Sequence, residues 1–276
     1  MNGRVLIIAG SDSGGGAGIQ ADIKTVTALG GFAMTAVTAL TAQNTLGVHG
    51  VIGIEPGFIR QQIDVVIQDL GVDAIKTGML HNTPVIETVA AAIAEAAPEV
   101  PLVVDPVMVA KGGGALLQDE AVMALRDHLL PLATVVTPNL PEAGVLLGWA
   151  VPDRDTMSAA AARLATLGPQ AVLLKGGHLD GGEVMDLLTV TGREPTTWLD
   201  PRIDSVHTHG TGCTLASAVA TGLAQGMALE EAVARARNYV RAAILEAPGY
   251  GSGYGPLNHT PSKIAGQEKG EIHGGE

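Results

Sequence analysis

The residues best placed to do chemistry stand together at His209-Gly210-Thr211-Gly212-Cys213-Thr214, directly before the alanine-rich run Leu215–Val219. A Gly-Thr-Gly turn entering a helix presents backbone N–H groups that have no partner inside that helix, together with the positive end of its dipole. Gly210 and Gly212 admit positive φ and a close approach of backbone to ligand. The expected chemistry is anion binding, with phosphate the natural guest. Cys213, the only cysteine of the chain, sits at the junction, where the same field would favour its thiolate. Three readings stand side by side: a small buried hydrophobe, a proton acceptor, and a covalent nucleophile. No His–Asn partnership for a thiol hydrolase is visible, and the position at the helix start favours the proton acceptor.

Other chemistry-bearing residues fall into short motifs. Asp105-Pro106-Val107-Met108 puts a carboxylate at the end of an apolar run, where it can meet a water-bound Mg²⁺ or cap the next segment. Thr137-Pro138-Asn139-Leu140-Pro141-Glu142 sets Asn139 and Glu142 three residues apart at a proline-started helix. Glu142 is there either a partner of the helix dipole or a holder of Mg²⁺ waters beside nucleotide phosphates. Lys175-Gly176-Gly177-His178 brings a cation to a strand end, and an unpaired buried lysine is rare enough to favour a phosphate role. Lys76 and Lys111 are expected as surface charges or parts of a closing loop. His178, His207 and His209 have no metal-ligand spacing and read as loop residues, His209 near the phosphates.

The glycine loop Gly10-Ser11-Asp12-Ser13-Gly14-Gly15-Gly16-Ala17-Gly18 contains no lysine, so it is not a Walker A loop. Gly16, Gly18 and Ala21 match a relaxed dinucleotide pattern, but after Asp22 no acidic residue occurs before Glu55, and the ribose contact of such a site is missing. The run of glycines is expected to let backbone approach a small ligand.

These residues need a scaffold that gathers them. Short apolar runs alternate with amphipathic segments, the pattern of a mostly parallel sheet covered by helices. The expected strands are Val5–Ala9, Ala33–Ala42, Val51–Ile54, Ala74–Thr77, Leu102–Asp105, Thr134–Thr137 and Ala171–Lys175. Glu183–Val190 and Thr197–Leu199 add an antiparallel edge. The expected helices are Gly18–Leu29, Phe58–Leu70, Pro84–Ala97 with Thr83 as cap, Glu120–Leu130, Pro141–Leu147, Thr156–Leu167, Thr214–Gln225 and Leu229–Ala247. The chemical residues then cluster where strands end, and in open α/β sheets that carboxyl edge is the ligand crevice.

Composition narrows the class. The chain has 276 residues, 46% of them hydrophobic, enough for one large domain over residues 1–260, with a polar, glycine-rich tail at 261–276 expected to be disordered. A formal charge of −12, without clustered Lys or Arg, argues against a nucleic-acid partner. A lone cysteine fits a reducing compartment, and Val5–Ala9 is too short for a signal or membrane-spanning segment, so a cytoplasmic protein is expected. Two Trp, three Tyr and two Phe leave a ring-shaped ligand to aliphatic and methionine contacts.

Together these motifs resemble the ribokinase superfamily, and within it the bacterial hydroxymethylpyrimidine kinase/phosphomethylpyrimidine kinase branch of thiamine biosynthesis. The similarity runs from Ile8-Ala9-Gly10-Ser11-Asp12 to Gly255-Pro256-Leu257-Asn258-His259. It is carried by Ser13–Asp22, Thr38–Thr45, Lys76-Thr77-Gly78-Met79-Leu80, Asp105–Met108, Thr137–Glu142, Lys175–His178 and His209–Thr214. The departures are the Ser-Asp-Ser-Gly-Gly-Gly form of the glycine loop and the extension beyond His259.

The resemblance implies a ribokinase-like three-layer α/β/α fold, usually dimeric, and ATP–Mg²⁺-dependent phosphorylation of a pyrimidine alcohol, then of its monophosphate. By the same resemblance Gln43 reads the aminopyrimidine edge, and Gly10, Asp22, Met79 and Val107 line its pocket. Gly210, Thr211 and Gly212 form the catalytic turn, and Cys213 takes the place of the aspartate base usual in the superfamily. Lys175, Asn139 and Thr211 meet ATP phosphates, while Asp105 and Glu142 organise Mg²⁺. The alternatives are a pyridoxal kinase of the same branch and a non-catalytic ligand sensor that keeps the fold.

Overall fold

A computed structural model describes residues 1–108, 116–117 and 119–262. Lys111 and most of the expected tail lie outside the described residues. Of the tail, Pro261 and Ser262 are described, and the Ser262 hydroxyl donates to Glu246 at 2.7 Å.

The first half alternates strand and helix: β1 (Arg4–Asp12), α1 (Gly18–Ala28), β2 (Phe32–Asn44), β3 (Gly47–Gly53), α2 (Pro56–Leu70), β4 (Ala74–Thr77), α3 (Thr83–Ala96) and β5 (Leu102–Val104). The second half runs through α4 (Asp119–Ala124), β6 (Val135–Val136), α5 (Leu140–Leu147), α6 (Arg154–Ala165), β7 (Ala171–Lys175), β8 (Glu183–Val190), β9 (Thr196–Pro201), α7 (Thr211–Ala224) and α8 (Leu229–Leu245). All nine strands join one sheet in the order β3-β2-β1-β4-β5-β6-β7-β8-β9. The six strands from β2 to β7 pair in parallel, and β8–β9 form the expected antiparallel edge.

A second antiparallel edge was not expected. β3 turns back on β2 because only Thr45 and Leu46 separate them, too short a link for a parallel crossover. The Asn44 side chain accepts from the N–H groups of Leu46 and Gly47 and so folds that link into a tight turn.

Alternation along the strands divides the core between two helix layers. On β1, Leu6 and Ile8 face a cluster with α2 through α6, whereas Val5, Ile7 and Ala9 face α1, α7 and α8. The second layer is built from small residues: a Cβ at Gly222 of α7 would lie 2.6 Å from that of Ala232 on α8. That close approach puts α7 against the sheet, with its N-terminus at the strand ends.

Several boundaries differ for local reasons. Asn82, not Thr83, caps α3, its carboxamide oxygen accepting from the Val85 N–H at 3.1 Å. The helix expected over Glu120–Leu130 keeps α geometry only to Ala124 and continues as a π turn, Leu125–Leu129, and a 3₁₀ turn, Leu130–Leu132. Pro131 within that turn has no N–H to extend a helix ladder. Most consequential for the site, α7 begins at Thr211 rather than Thr214, which places Cys213 inside its first turn.

Candidate active site

The glycine loop after β1 is organised by its own aspartate. Asp12, 2% exposed, accepts from the N–H groups of Gly14 (2.8 Å), Gly16 (3.1 Å) and Ala17 (2.8 Å). His209 Nε2 lies 2.8 Å from the same carboxylate. Burial works against the charged form of Asp12, but the His209 contact and these N–H donors prevail and hold it below the usual carboxylate range. Two expectations change here. The N–H groups of Gly14, Gly16 and Ala17 serve Asp12, and His209 is a buried partner of that aspartate. The loop approaches a ligand site through its two ends, Gly10–Asp12 and Ala17–Gly18, not through its whole length.

Above this loop lies a small solvent-connected concavity of about 40 Å³, lined in part by Gly10, Ser11, Asp12, Thr41, Gln43 and Met79. Lys76 and Cys213 complete its wall. The Gln43 carboxamide stands 3.3 Å from His209 Nε2 and accepts from the Thr41 hydroxyl at 3.2 Å. Met79 is fixed by the Thr38 hydroxyl, which donates to its carbonyl at 2.6 Å, and a Cβ at Gly10 would come within 3.0 Å of its sulfur. Gly10, Gln43 and Met79 thus stand in one pocket, as the sequence suggested. Asp22 and Val107 do not line it. Asp22 is wholly buried beneath it on α1, and the Val107 N–H bonds the Asp105 carbonyl outside the lining.

Gly210 stands in the left-handed region with φ 85°, and a Cβ there would collide with the Gly16 carbonyl. The two glycine loops are therefore pressed together backbone to backbone, and Gly210 has no tolerable substitute. Two residues on, a Cβ at Gly212 would lie 3.4 Å from Lys175 Nζ and 3.7 Å from Asp105 Oδ2. The anion turn, the lysine at the end of β7 and the aspartate after β5 share one corner of the sheet edge.

Cys213 does not follow the simple helix-dipole expectation. Burial pushes its thiol up to about 12, with Asp22 and Asp105 adding to the rise; Lys76 and the Gly18 N–H pull it down without prevailing. The group is a thiol at neutral pH. Lys76 is likewise no surface charge: it is 0% exposed and its ammonium sits 2.9 and 2.8 Å from the two Asp22 carboxylate oxygens.

At the opposite end of the turn, Lys175 Nζ is 3.3 Å from Asp105 Oδ1, and the Thr137 hydroxyl donates to the same oxygen at 3.2 Å. Asn139 and Glu142 form a reciprocal capping box at the start of α5: Glu142 N–H to Asn139 Oδ1 is 2.9 Å, and Asn139 N–H to Glu142 Oε2 is 2.8 Å. The Asn139 side chain is thereby a helix cap. Glu142 is pushed up to about 7 by burial; Lys175 opposes the rise and Asp105 adds to it. Two hard carboxylates at this corner suit a divalent cation held largely through water. Among the described residues no group of three or more His, Cys, Asp or Glu forms an all-protein metal cage.

Asp12 and Ser217 were not singled out in the sequence, and Lys76 and His209 were given other places there. The available signal was Lys76 itself, a lysine inside the four-residue strand Ala74–Thr77, and Asp22 on the same helix face as Ile19 and Val26. Pairing across 54 positions could not be read from either alone.

Comparisons with known proteins agree with this geometry. A family model described as phosphomethylpyrimidine kinase matches residues 12–258. The thiamine biosynthesis bifunctional protein ThiED of Geobacter sulfurreducens is 53% identical over 93% of the chain, which spans about half (52%) of that relative's length. The hydroxymethylpyrimidine/phosphomethylpyrimidine kinase of Streptomyces coelicolor is 50% identical over 92% of the chain and 93% of the relative. Among solved structures, pyridoxal kinase from Staphylococcus aureus in complex with pyridoxal superimposes with a TM-score of 0.87 at 35% identity, covering 95% of this chain and 94% of that one. Phosphomethylpyrimidine kinase from Clostridium difficile gives 0.77 at 41% identity, covering 87% and 99%. Among the described residues no helix is long and apolar enough to cross a membrane. With the family model spanning the sheet edge from Asp12 to Asn258, and full-length relatives matching at half their residues, the chain belongs to the phosphomethylpyrimidine kinase family.

Proposed function

We propose that this chain transfers the γ-phosphoryl group of ATP to the hydroxyl of 4-amino-5-hydroxymethyl-2-methylpyrimidine, and then a second phosphoryl group to the resulting monophosphate. The observation that carries this reading is the meeting of two half-sites at Cys213. The small pocket of Gly10, Gln43 and Met79 ends there, and the anion turn with Lys175 and Asp105 begins there. The Gln43 carboxamide supplies a donor and an acceptor for an aminopyrimidine edge, and Met79 covers a flat ring. In the first transfer the acceptor oxygen bonds to the γ-phosphorus, the bond to the ADP oxygen breaks, and the hydroxyl proton goes to the Cys213 sulfur in the minor fraction of molecules that have already released the thiol proton to solvent. In the second transfer the attacking phosphate oxygen is already ionised, so no base is required.

Phosphoryl transfer relies on positioning and charge stabilisation. The N–H groups of the Gly210–Cys213 turn face the moving phosphoryl, where preorganised donors contribute most, and Lys175 meets the phosphate oxygens. Asp105 and Glu142 would hold Mg²⁺ through water, and the ion would neutralise charge on the nucleotide phosphates. Thr211 would add a hydroxyl to the phosphate site, while Asn139 contributes by capping α5 and fixing Glu142.

Measuring ADP release separately with the pyrimidine alcohol, its monophosphate and pyridoxal tests this reading. Turnover of both pyrimidines is expected; turnover of pyridoxal without the monophosphate would replace it with a pyridoxal kinase. That second reading draws on the 0.87 TM-score to the Staphylococcus enzyme. No ADP release with any of the three alcohols or phosphates would leave a non-catalytic sensor. A homodimer through the β2–β3 hairpin is part of the proposal, because Leu40 (47% exposed) and Ile52 (69%), paired across that hairpin, leave apolar surface uncovered.

A further inference from the structure

Beneath the acceptor pocket lies a buried charge cluster that the proposed chemistry has not used. Lys76 and Asp22 are both 0% exposed, and the Ser217 hydroxyl of α7 donates to Asp22 Oδ1 at 2.6 Å. The ammonium thus ties β4 to α1, while Ser217 ties α1 to α7, one helical turn beyond Cys213. Two buried opposite charges gain little net stability over apolar residues of the same volume. A pair kept at that cost under a pocket has another use, and Lys76 forms part of the pocket wall beside Cys213.

We propose that Lys76, held by Asp22 and Ser217, is the fixed positive charge that lets the Cys213 sulfur become an anion and so accept the acceptor's proton. The inference rests on reading this pocket as the acceptor site. Each element packed around the sulfur presents a charge or donor: Lys76 from β4, Asp22 and the Gly18 N–H from α1, Asp105 after β5, and Lys175 from β7. Of these, Lys76 is the cation with the largest lowering influence on the thiol. Burial disfavours the ammonium, yet Asp22, Cys213 and Asp105 outweigh that cost and raise its pKa, so it remains charged. Asp22 in turn fixes where the ammonium points and limits its field at the sulfur.

Because Cys213 is the only cysteine, alkylation by iodoacetamide reports this one sulfur and requires no substrate. The test compares wild type, the neutral-pair variant Lys76→Met/Asp22→Asn and the single variant Asp22→Asn, each checked for folding by circular dichroism. The neutral-pair variant should alkylate at least about tenfold more slowly at pH 9, a shift of about one pKa unit. Its kcat for the alcohol should fall by a larger factor than its kcat for the monophosphate. Asp22→Asn, which frees the ammonium from its counter-charge, should move alkylation toward lower pH; this arm holds even if the double variant does not fold. Unchanged alkylation profiles in folded variants would overturn the inference. A shifted alkylation profile in an enzyme whose wild type phosphorylates neither pyrimidine would uphold the charge role and reject the functional reading instead.

Discussion

At the scale of single residues, the thiol and the glycine of the anion turn have separable tasks. Cys213→Ala should lower phosphorylation of the alcohol at least about a hundredfold, within the usual range for a general base. It should lower phosphorylation of the monophosphate far less, since that acceptor oxygen needs no deprotonation. Equal losses would assign the sulfur to packing. With the thiol pushed up to about 12, the thiolate fraction grows about tenfold per pH unit below that value. The alcohol reaction should therefore climb from pH 7 to pH 9.5 without levelling, whereas the monophosphate reaction should not follow it. Gly210→Ala should abolish both reactions, because the left-handed φ and the Gly16 carbonyl leave no place for a methyl group. Retained activity in a Gly210→Ala enzyme would remove the turn from the mechanism.

Elements position these residues through their ends. The capping box at α5 couples helix stability to the placement of Glu142. Asn139→Ala should cost about 1 kcal/mol in urea unfolding and also raise the Mg²⁺ concentration needed for half-maximal activity. A stability loss with unchanged Mg²⁺ dependence would confine Asn139 to the cap. The β2–β3 hairpin carries Gln43 into the pocket and leaves Leu40 and Ile52 exposed on the sheet edge. A Leu40→Glu/Ile52→Glu variant should shift the sedimentation of a dimer to that of a monomer, and a wild type that already sediments as a monomer would sink the dimer proposal.

Across the whole molecule, the segment around Asn258 and His259 is part of the fold, and it reports on pH. Asn258 and His259 close over the second helix layer: the Tyr239 hydroxyl donates to the His259 carbonyl at 2.6 Å, and the His259 ring lies 3.1 Å from the Thr214 hydroxyl. Burial, with Lys24 nearby, lowers this imidazole to about 4, against about 6.5 in an unfolded chain. Between those values the unfolded state binds a proton that the folded state refuses, so this group's contribution is whole above pH 6.5 and is lost as pH falls toward 4. The loss is of the order of 3 kcal/mol. Glu142, raised to about 7, acts in the opposite sense over part of the same range. Urea midpoints of wild type and His259→Gln at pH 7 and pH 4.5 isolate the imidazole: wild type should lose more stability on acidification than the variant. Parallel losses would show that His259 plays no part.

Much of this architecture was legible in the chain because period and punctuation are local properties. Apolar runs marked β4, β7 and β8 to the residue, and the Gly-Thr-Gly turn marked the start of α7 to within three positions. The return of β3 was missed because a turn as short as Thr45-Leu46 carries its signal in the Asn44 side chain rather than in hydrophobic pattern. The pocket residues Gly10, Gln43 and Met79 could be assembled from motif resemblance: Gly10 and Gln43 lie in the last residues of β1 and β2, and Met79 just after β4. What tertiary structure alone decided was charge. Asp12 with His209, Lys76 with Asp22, and Lys175 with Asp105 lie 197, 54 and 70 positions apart. Each pair consists of partners that only folding brings within hydrogen-bond reach. The residue types at this site are therefore written in the sequence, and the electrostatics that set their chemistry are a property of the folded protein.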